Sequence, residues 1–193
     1  SHKKSLDILK KTDALLEGHF ILSSGLHSSK YIQCAKLLSF PSKAEKICKS
    51  LSNKIKKNFS KIDLILAPAM GGIIIGYEIG RLLKLETIFC ERVNGKFVLR
   101  RGFKIKKGSK VLIIEDVITT GKSSMECVNL INKAKAKLVG FATLIDRSTK
   151  KSLKIKKKIV SHLKINVQTF KTNQLPKDLK SIPITIPGSR FIK

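Results

Sequence analysis

The sequence predicts a doubly wound α/β domain with a mainly parallel β-sheet and a small N-terminal hood. Two observations predict the doubly wound sheet, and the hood is the N-terminal segment described below. Short apolar runs rich in β-branched residues, which suit buried parallel strands, alternate with longer amphipathic patterns that suit helices. Two of the runs, at residues 62–66 and 111–114, are each followed by a glycine-containing loop and a helical pattern. A strand, a loop and a helix form the repeating unit of doubly wound folds.

Length and composition limit the number of domains and the classes of protein that the chain can belong to. The chain has 193 residues, 42% of them hydrophobic, which allows one sizeable domain with a real core. We expect residues 1–193 to form a single domain, with the hood from about residues 1–40 and the C-terminal tail as a further candidate contributor. No apolar run approaches the length of a membrane span, and the N-terminal residues lack the layout of a signal peptide. We therefore expect a cytoplasmic protein without a membrane partner.

The formal net charge of +27 has two explanations. Of the 40 basic residues 34 are lysine, and they are spread along the whole chain rather than clustered. The AT-rich codon usage of a genome would produce such a composition, whereas a nucleic-acid-binding protein usually concentrates arginine and aromatic residues in a patch. We favour the compositional explanation and expect no nucleic-acid partner, although a positive surface would still attract a polyanionic substrate.

Cysteine and histidine positions give no sign of a metal site or a disulfide framework. The four cysteines contain no C-x-x-C pair, which favours reduced and mostly buried thiols. His19, His27 and His162 are not at metal-ligand spacing.

The N-terminal part predicts a helix, a hairpin and a second helix. Apolar residues at helical spacing favour a first helix over residues 5–17, ended by Gly18. Residues 18–34 contain two strand-like pieces around a turn at Ser24 and Gly25. A lysine-rich amphipathic helix over residues 42–57 is expected to cover the sheet.

A first glycine loop follows the predicted strand at residues 62–66. It contains Ala69, Met70, Gly71 and Gly72, and residues 73–83 then favour a helix. Backbone N–H groups in such a loop can bind an anion, although two glycines at this place also suit an ordinary tight strand-to-helix turn.

Residues 92–103 follow a predicted strand at residues 87–91 and admit two interpretations. Basic residues on a glycine-containing connection indicate a mobile loop that closes on an anion. The Asn94-Gly95 pair favours a β-hairpin with a type I′ turn. The two interpretations are compatible.

The second glycine loop carries the most specific pattern in the chain. The apolar run at residues 111–114 is expected to end at Glu115 and Asp116, and a helix is expected over residues 123–133. The residues between them are Val117, Ile118, Thr119, Thr120, Gly121, Lys122 and Ser123. Unpaired N–H groups, hydroxyl groups and the helix dipole suit a phosphate group. The acidic pair suits ribose hydroxyls or a bound Mg²⁺, and an ordinary turn with acids placed by chance would not explain both features together.

Arg147 follows a predicted strand at residues 137–146. Open α/β sheets bind ligands at the carboxyl ends of their strands, where an arginine can grip a carboxylate with two hydrogen bonds. The alternative is a surface ion pair with Asp146. Beyond it we expect a solvated charge run at residues 150–158, strand character at residues 161–170 and a non-periodic tail.

These motifs resemble those of a known family. Residues 111–124 resemble the phosphoribosyl-pyrophosphate (PRPP) signature of type I phosphoribosyltransferases, and residues 18–34 resemble the hood of orotate phosphoribosyltransferases. The closing Pro-Gly-Ser-Arg at residues 187–190 resembles the C-terminus of the same subgroup. The chain departs from the family pattern in four places. It lacks a loop histidine, and it has Ser23 and Val93 where lysines are common and Met70-Gly71 where some members have Tyr-Lys.

The resemblance implies the type I phosphoribosyltransferase fold and the transfer of a 5-phosphoribosyl group from PRPP to orotate. The products would be orotidine 5′-monophosphate and pyrophosphate, and Mg²⁺ would be held mainly through PRPP. It implies catalytic roles for Lys96, Arg92 and Asp116, and PRPP binding by Glu115, Asp116, Val117, Ile118, Thr119, Thr120, Gly121, Lys122, Ser123, Ala69, Met70, Gly71, Gly72 and Arg92. Orotate would contact Thr119, Arg147, Tyr31, Ser24 and Gly25. A homodimer would place residues 92–103 of one subunit at its partner's site, with the roles of Arg100 and Arg101 left open.

Three other functions share some of these features. A purine-specific transferase would share the PRPP loop but should lack the hood sequence and Arg147. A PRPP-sensing regulator would need a localised basic surface. A catalytically silent interaction protein should have lost the acidic pair, which is present at Glu115 and Asp116.

Overall fold

The computed structural model describes residues 2–22, 24–149 and 152–187. The chain divides into two compact units. The core unit is Pro41–Ile165, and the hood unit combines Ser1–Phe40 with Asn166–Lys193. In chain order the elements are α1 (His2–Lys11), β1 (Leu15–Ile21), β2 (His27–Ile32), α2 (Cys34–Leu38), α3 (Pro41–Asn58), β3 (Leu64–Pro68), α4 (Gly71–Leu83), β4 (Thr87–Val93), β5 (Lys96–Val98), β6 (Lys110–Ile118), α5 (Lys122–Lys133), β7 (Lys137–Asp146), β8 (Ile159–Lys164), β9 (Thr169–Phe170), a 3₁₀ turn (Thr172–Gln174), α6 (Lys177–Lys180) and β10 (Ile184–Thr185).

The core unit is built on a six-stranded sheet in the order β5-β4-β3-β6-β7-β8. Five strands are parallel, and only the edge strand β5 is antiparallel to its neighbour. The parallel strands, numbered along the chain, lie in the order 2-1-3-4-5, so the order reverses between β3 and β6. This is a doubly wound arrangement, and it confirms the predicted fold class.

The strands of the core unit are apolar because helices cover the sheet. All five residues of β3 are buried, and the fully buried side chains include Leu66, Ile113 and Phe141. Helix α3 buries Ile47, Leu51 and Ile55 at successive turns of one face, as its amphipathic pattern predicts. The predictions of this helix, of α5 and of the strand at residues 137–146 are confirmed.

The hood unit has a four-stranded sheet in the order β10-β1-β2-β9. Strands β1 and β2 form the predicted antiparallel hairpin, and the C-terminal strands β10 and β9 add one edge each. The imidazole rings of His19 and His27 are buried, with Nε2 of His19 2.7 Å from Nδ1 of His27. Their other ring nitrogens lie 3.2 Å from the Ile182 carbonyl oxygen and the Thr172 hydroxyl, which ties the tail to the hairpin.

The first helix is shorter than predicted. Helix α1 ends at Lys11 rather than at residue 17, and Gly18 lies inside β1 instead of ending a helix. The chain turns at Asp13, whose φ is +53°, and Leu15 then pairs with Ile32 of β2. The apolar residues at 15 and 16 therefore belong to a strand, because pairing with β2 outweighs a local pattern that also fits a helix.

Strand β6 is longer than predicted. It runs through Ile118 instead of ending at the acidic pair, so Glu115 and Asp116 lie within the strand. Glu115 is paired with Thr143 of β7, and Val117 with Ile145. The neighbouring strand β7 extends equally far, and its hydrogen bonds keep these residues extended.

Smaller differences concern the connections and the tail. Strand β3 begins at Leu64 rather than at residue 62, and α4 begins at Gly71. The charge run contains Ile155, which is 6% exposed and packs in the core, so it is more than a solvated connection. The predicted strand at residues 161–170 is divided between β8 and β9, which belong to different sheets. Residues 1, 23, 150, 151 and 188–193 lie outside the described part of the chain. They include Ser23 and the last three residues of the Pro-Gly-Ser-Arg motif.

All four cysteines are buried and none forms a disulfide, and Sγ of Cys90 lies 3.4 Å from Sγ of Cys127. Of the helices that the structure describes, none is both long and apolar enough to cross a membrane.

Candidate active site

The two glycine loops meet where the strand order of the core unit reverses. Ala69 to Gly72 follow β3, and Thr119 to Ser123 follow the neighbouring strand β6. A methyl group built on Gly71 would lie 2.6 Å from Oδ2 of Asp116, and one on Gly72 would lie 3.1 Å from the Ile114 carbonyl oxygen. Only glycine fits such a close approach. The first loop is therefore packed directly against the acidic end of β6, at the position where doubly wound folds bind ligands.

The second loop forms the N-terminal end of α5. Gly121 has a left-handed conformation, with φ +74° and ψ +16°, and the 12-residue helix begins at the next residue. Thr119 and Thr120 are exposed, and the Lys122 N–H donates to the Thr120 hydroxyl over 3.3 Å. Unpaired N–H groups and the dipole of a helix N-terminus favour an anion, and the two threonine hydroxyls add donors beside them.

Glu115 is a buried carboxylic acid with a raised pKa. Burial raises the pKa of Glu115 to about 7, and the neighbouring Asp116 adds to the increase. The Ser124 hydroxyl of α5 donates to Oε1 of Glu115 and opposes the increase. Protonation of Glu115 near neutral pH therefore reduces the negative charge beside the second glycine loop.

Asp116 is half-buried and lies between the two loops. Burial raises its pKa, while a hydrogen bond from the Val117 N–H to Oδ1, 2.8 Å long, opposes the increase. A carboxylate in this position can accept hydrogen bonds from hydroxyl groups of a ligand held by the loops.

The predicted hairpin at Asn94 and Gly95 is confirmed, with φ +49° and +77° at the two turn residues. Arg92 lies near the end of β4 and contacts α5, with Nη1 2.7 Å from Oε2 of Glu126. Nη1 also donates to the Gly95 carbonyl oxygen over 2.6 Å. The guanidinium lies over the Phe97 ring, 4.1 Å from its centroid. Lys96 is exposed on β5.

Arg100 and Arg101 are both directed at Glu91. Their Nε atoms lie 3.8 Å and 3.4 Å from Oε1 of that carboxylate. Arg101 also lies over the Phe89 ring, with Cζ 5.6 Å from the centroid. Two cations therefore share one acid on β4. Both arginines lie in the connection between Val98 and Lys110, which contains no helix or strand.

Arg147 follows β7 directly, next to the second glycine loop. Its backbone N–H donates to the Ile118 carbonyl oxygen over 2.8 Å, and the residue is half-buried. Oδ1 of the adjacent Asp146 accepts a hydrogen bond from the Ser148 N–H over 2.8 Å, and Oδ2 lies 3.7 Å from Nζ of Lys164. Arg147 follows the last residue of β7 and Thr119 follows the last residue of β6, and these two last residues, Asp146 and Ile118, are paired.

The remaining candidate residues belong to the hood unit. Tyr31 lies on β2, and its hydroxyl donates to Oε1 of Gln33 over 2.9 Å. Ser24 and Gly25 form the exposed hairpin turn, and Gly25 has φ +77°.

Sequence reasoning assigned no role to two residues that contact the site. Ser124 belongs to the signature but was not expected to bind Glu115, and Glu126 was not expected to bind Arg92. Both contacts depend on how α5 packs against the sheet, which no local pattern encodes. Within the described ranges, no group of three or more potential metal-ligating side chains is present.

Comparison with known proteins places this geometry in a family. A model of the phosphoribosyl transferase domain matches residues 41–177. An orotate phosphoribosyltransferase of Caldicellulosiruptor saccharolyticus is 44% identical over 188 residues, which cover 97% of each chain. Another from Parvibaculum lavamentivorans is 46% identical over 191 residues, which cover 98% of each chain.

Solved structures agree on the fold. Orotate phosphoribosyltransferase from Aeropyrum pernix superposes with a TM-score of 0.69 at 22% identity, over 82% of this chain and 92% of that one. Adenine phosphoribosyltransferase from Saccharomyces cerevisiae superposes with a TM-score of 0.66 at 18% identity, over 82% and 99%. At these sequence identities, the structural similarity shows only that the fold is shared.

Proposed function

Because the chain belongs to the orotate phosphoribosyltransferase family of the phosphoribosyltransferases, we propose that it transfers the 5-phosphoribosyl group of PRPP to orotate. The products are orotidine 5′-monophosphate and pyrophosphate, a step in the formation of pyrimidine nucleotides. The relatives that are 44% and 46% identical carry this activity in their names and match the chain over nearly its whole length.

One observation carries the proposal at the level of the site. The glycine loop after β3 packs against Asp116, which lies within β6 two residues before its end, so two glycine loops lie on either side of a pair of carboxylic acids. PRPP has the matching order of groups, with a 5′-phosphate at one end, ribose hydroxyls in the middle and a pyrophosphate at the other end. A ligand with a single phosphate would leave one of the loops without a partner.

We assign the parts of PRPP accordingly. Thr119, Thr120, Gly121, Lys122 and Ser123 bind the 5′-phosphate through backbone N–H groups and hydroxyls. Glu115 and Asp116 lie below the ribose, with Val117 and Ile118 continuing the strand beside them. The raised pKa of Glu115 supports this assignment, because a partly protonated acid lowers the repulsion of the nearby phosphate and still accepts hydrogen bonds from hydroxyls.

The pyrophosphate is assigned to the first loop and the hairpin. Met70, Gly71 and Gly72 supply backbone N–H groups, and Arg92 supplies a guanidinium. Ala69 holds the start of this loop, because its own N–H donates to the Cys90 carbonyl oxygen over 2.7 Å. Cleavage of the bond between the anomeric carbon and the pyrophosphate oxygen leaves negative charge on the leaving group and positive charge on the ribose. Cations at Lys96 and Arg92 stabilise the leaving group, and Asp116 lies on the side of the ribose where its negative charge favours the positive centre.

Orotate needs a partner for its carboxylate and a platform for its ring. Arg147 is proposed to bind the carboxylate with two N–H groups. Thr119, Tyr31, Ser24 and Gly25 are proposed to position the ring. Deprotonated orotate already has a nucleophilic ring nitrogen, so the protein need only align it with the anomeric carbon.

The residues of the site fit a Mg²⁺ ion that is held mostly by the substrate. Asp116 offers oxygen atoms of the kind that Mg²⁺ prefers, and the described residues contain no group of three or more ligating side chains that would enclose the ion. When bound with PRPP, Mg²⁺ would neutralise charge on the pyrophosphate.

We also propose a homodimer in which residues 92–103 of one subunit reach the active site of its partner. Helix α4 and the residue before it expose an apolar stripe at helical spacing, with Met70 82%, Ile74 53% and Tyr77 67% exposed. A second copy of the chain would remove this stripe from water. Four buried cysteines outside disulfides fit a reducing compartment, which supports a cytoplasmic location.

The reaction is tested by following the ultraviolet absorbance of orotate after PRPP and Mg²⁺ are added, for the wild type and for Arg147→Ala. We expect turnover in the wild type and a loss of about 100-fold in kcat/KM for orotate in the variant, because a carboxylate without its cation loses a charge-assisted hydrogen-bond pair. PRPP binding by calorimetry should be unchanged in Arg147→Ala. A wild type that binds PRPP and leaves orotate intact would refute the proposed reaction.

A further inference from the structure

Arg92 connects the β4–β5 hairpin to the helix that carries the phosphate loop. Its Nη1 atom lies 2.7 Å from the Glu126 carboxylate of α5 and 2.6 Å from the Gly95 carbonyl oxygen. The face of the guanidinium lies 4.1 Å from the centre of the Phe97 ring. These three contacts come from the helix, the turn and the strand, so they hold the guanidinium in one position.

The contacts leave one edge of the guanidinium for a ligand. Arginine has five N–H donors, two of them on Nη1. That atom donates to the Gly95 carbonyl oxygen and forms the ion pair with Glu126. In the described part of the chain, no acceptor is bonded to Nε or Nη2, and the side chain is 41% exposed. The edge formed by Nε and Nη2 has the geometry that binds two oxygen atoms of a phosphate group.

We propose that Glu126 is a positioning residue for PRPP binding, which holds Arg92 so that its Nε and Nη2 edge faces the pyrophosphate. This inference rests on the proposed function. Glu126 lies on α5, the helix whose N-terminal end binds the 5′-phosphate in that proposal. In the proposed homodimer, α5 therefore carries the phosphate loop of its own site and, through Glu126, holds the arginine that reaches the pyrophosphate in the partner's site. Because Glu126 already restricts the arginine side chain, less conformational entropy is lost when PRPP binds.

A competing role for Glu126 predicts the opposite effect. If its carboxylate occupied Arg92 only until pyrophosphate displaced it, removing the carboxylate would strengthen PRPP binding. The use of Nη1 alone argues against this role, because the two remaining nitrogen atoms can bind pyrophosphate while Glu126 stays in place.

The test compares Glu126→Ala, Glu126→Gln, Arg92→Ala and the double variant Arg92→Ala/Glu126→Ala. The PRPP dissociation constant is measured by calorimetry, and KM and kcat are measured in the orotate assay. Glu126→Ala is expected to raise the dissociation constant and KM of PRPP about 3- to 10-fold with little change in kcat. Glu126→Gln should raise both values less than Glu126→Ala does, because its amide oxygen can still accept from Nη1 although the charge of the ion pair is lost. In the Arg92→Ala background, Glu126→Ala should have no further effect.

Glu45→Ala provides the matched control, since Glu45 is an acid on α3 that is paired with Lys49 and Arg81 and lies outside the proposed site. It should leave PRPP binding unchanged. An unchanged or lowered PRPP dissociation constant in Glu126→Ala would overturn the inference, and so would additive effects in the double variant. In both cases the wild type would still convert orotate. A wild type without PRPP-dependent turnover would instead overturn the proposed function together with this inference.

Discussion

The raised pKa of Glu115 predicts a specific dependence of stability on pH. The ordinary pKa of this carboxyl is 4.5, and burial raises it to about 7 in the folded protein. Between these two values the folded state keeps a proton that the unfolded state has released, so stability falls as pH rises. A difference of about 2.5 units corresponds to about 3 kcal/mol in total, of which about 2 to 3 kcal/mol falls between pH 5 and pH 8.

The substitution Glu115→Gln removes this dependence, because an amide does not titrate and can still accept the Ser124 hydrogen bond. Urea denaturation of both proteins at pH 5, 6, 7 and 8 gives the free energy of unfolding. We expect the variant to gain about 2 to 3 kcal/mol relative to the wild type over that range. Glu45→Gln is the control. Lys49 holds the pKa of Glu45 below its ordinary value, so this acid stays ionised in both states and its variant should keep the wild-type slope. Parallel pH profiles for the wild type and Glu115→Gln would refute the reasoning.

Three further predictions concern the loops and the helix α4. Lys96→Ala should lower kcat about 100-fold with a smaller change in PRPP binding, as steady-state kinetics would show, because the cation acts on charge that develops during bond cleavage. Gly121→Ala should destabilise the protein in thermal melts by about 2 to 4 kcal/mol and weaken PRPP binding, whereas Gly108→Ala should cost only about 1 kcal/mol. Both glycines have a positive φ, but only Gly121 has a side chain within 3 Å of the added methyl group. Tyr77→Glu should convert the proposed dimer to a monomer in analytical ultracentrifugation, and Met125→Glu on α5 should leave that dimer intact.

The sequence was most informative where one local pattern had one structural solution. The apolar run at residues 137–146 became β7 with the same bounds, since a long buried strand has no competing interpretation. The Asn94-Gly95 pair became the expected turn, because both residues accept a positive φ. The resemblance of residues 111–124 to a PRPP signature agrees with the family that the comparisons show.

The errors arose where distant parts of the chain decide the conformation. Leu15 and Leu16 fit a helix by spacing, but they form β1 because β2 supplies a partner. Strand β6 continues past Glu115 because β7 runs beside it and Ser124 binds the buried carboxyl. Arg92 and Glu126 are 34 positions apart in the sequence, and neither residue alone indicates that they are in contact. Side-chain partners across elements are thus the part of the site that sequence reasoning could not supply.

The central claim is that this chain acts on orotate, although adenine phosphoribosyltransferases share its fold. The most direct measurement incubates the protein with PRPP, Mg²⁺ and equal amounts of orotate and adenine, and identifies the nucleotide formed by mass spectrometry. We predict orotidine 5′-monophosphate as the product, with no adenosine monophosphate above the level of a reaction without protein. Formation of adenosine monophosphate, with orotate unchanged, would contradict the account.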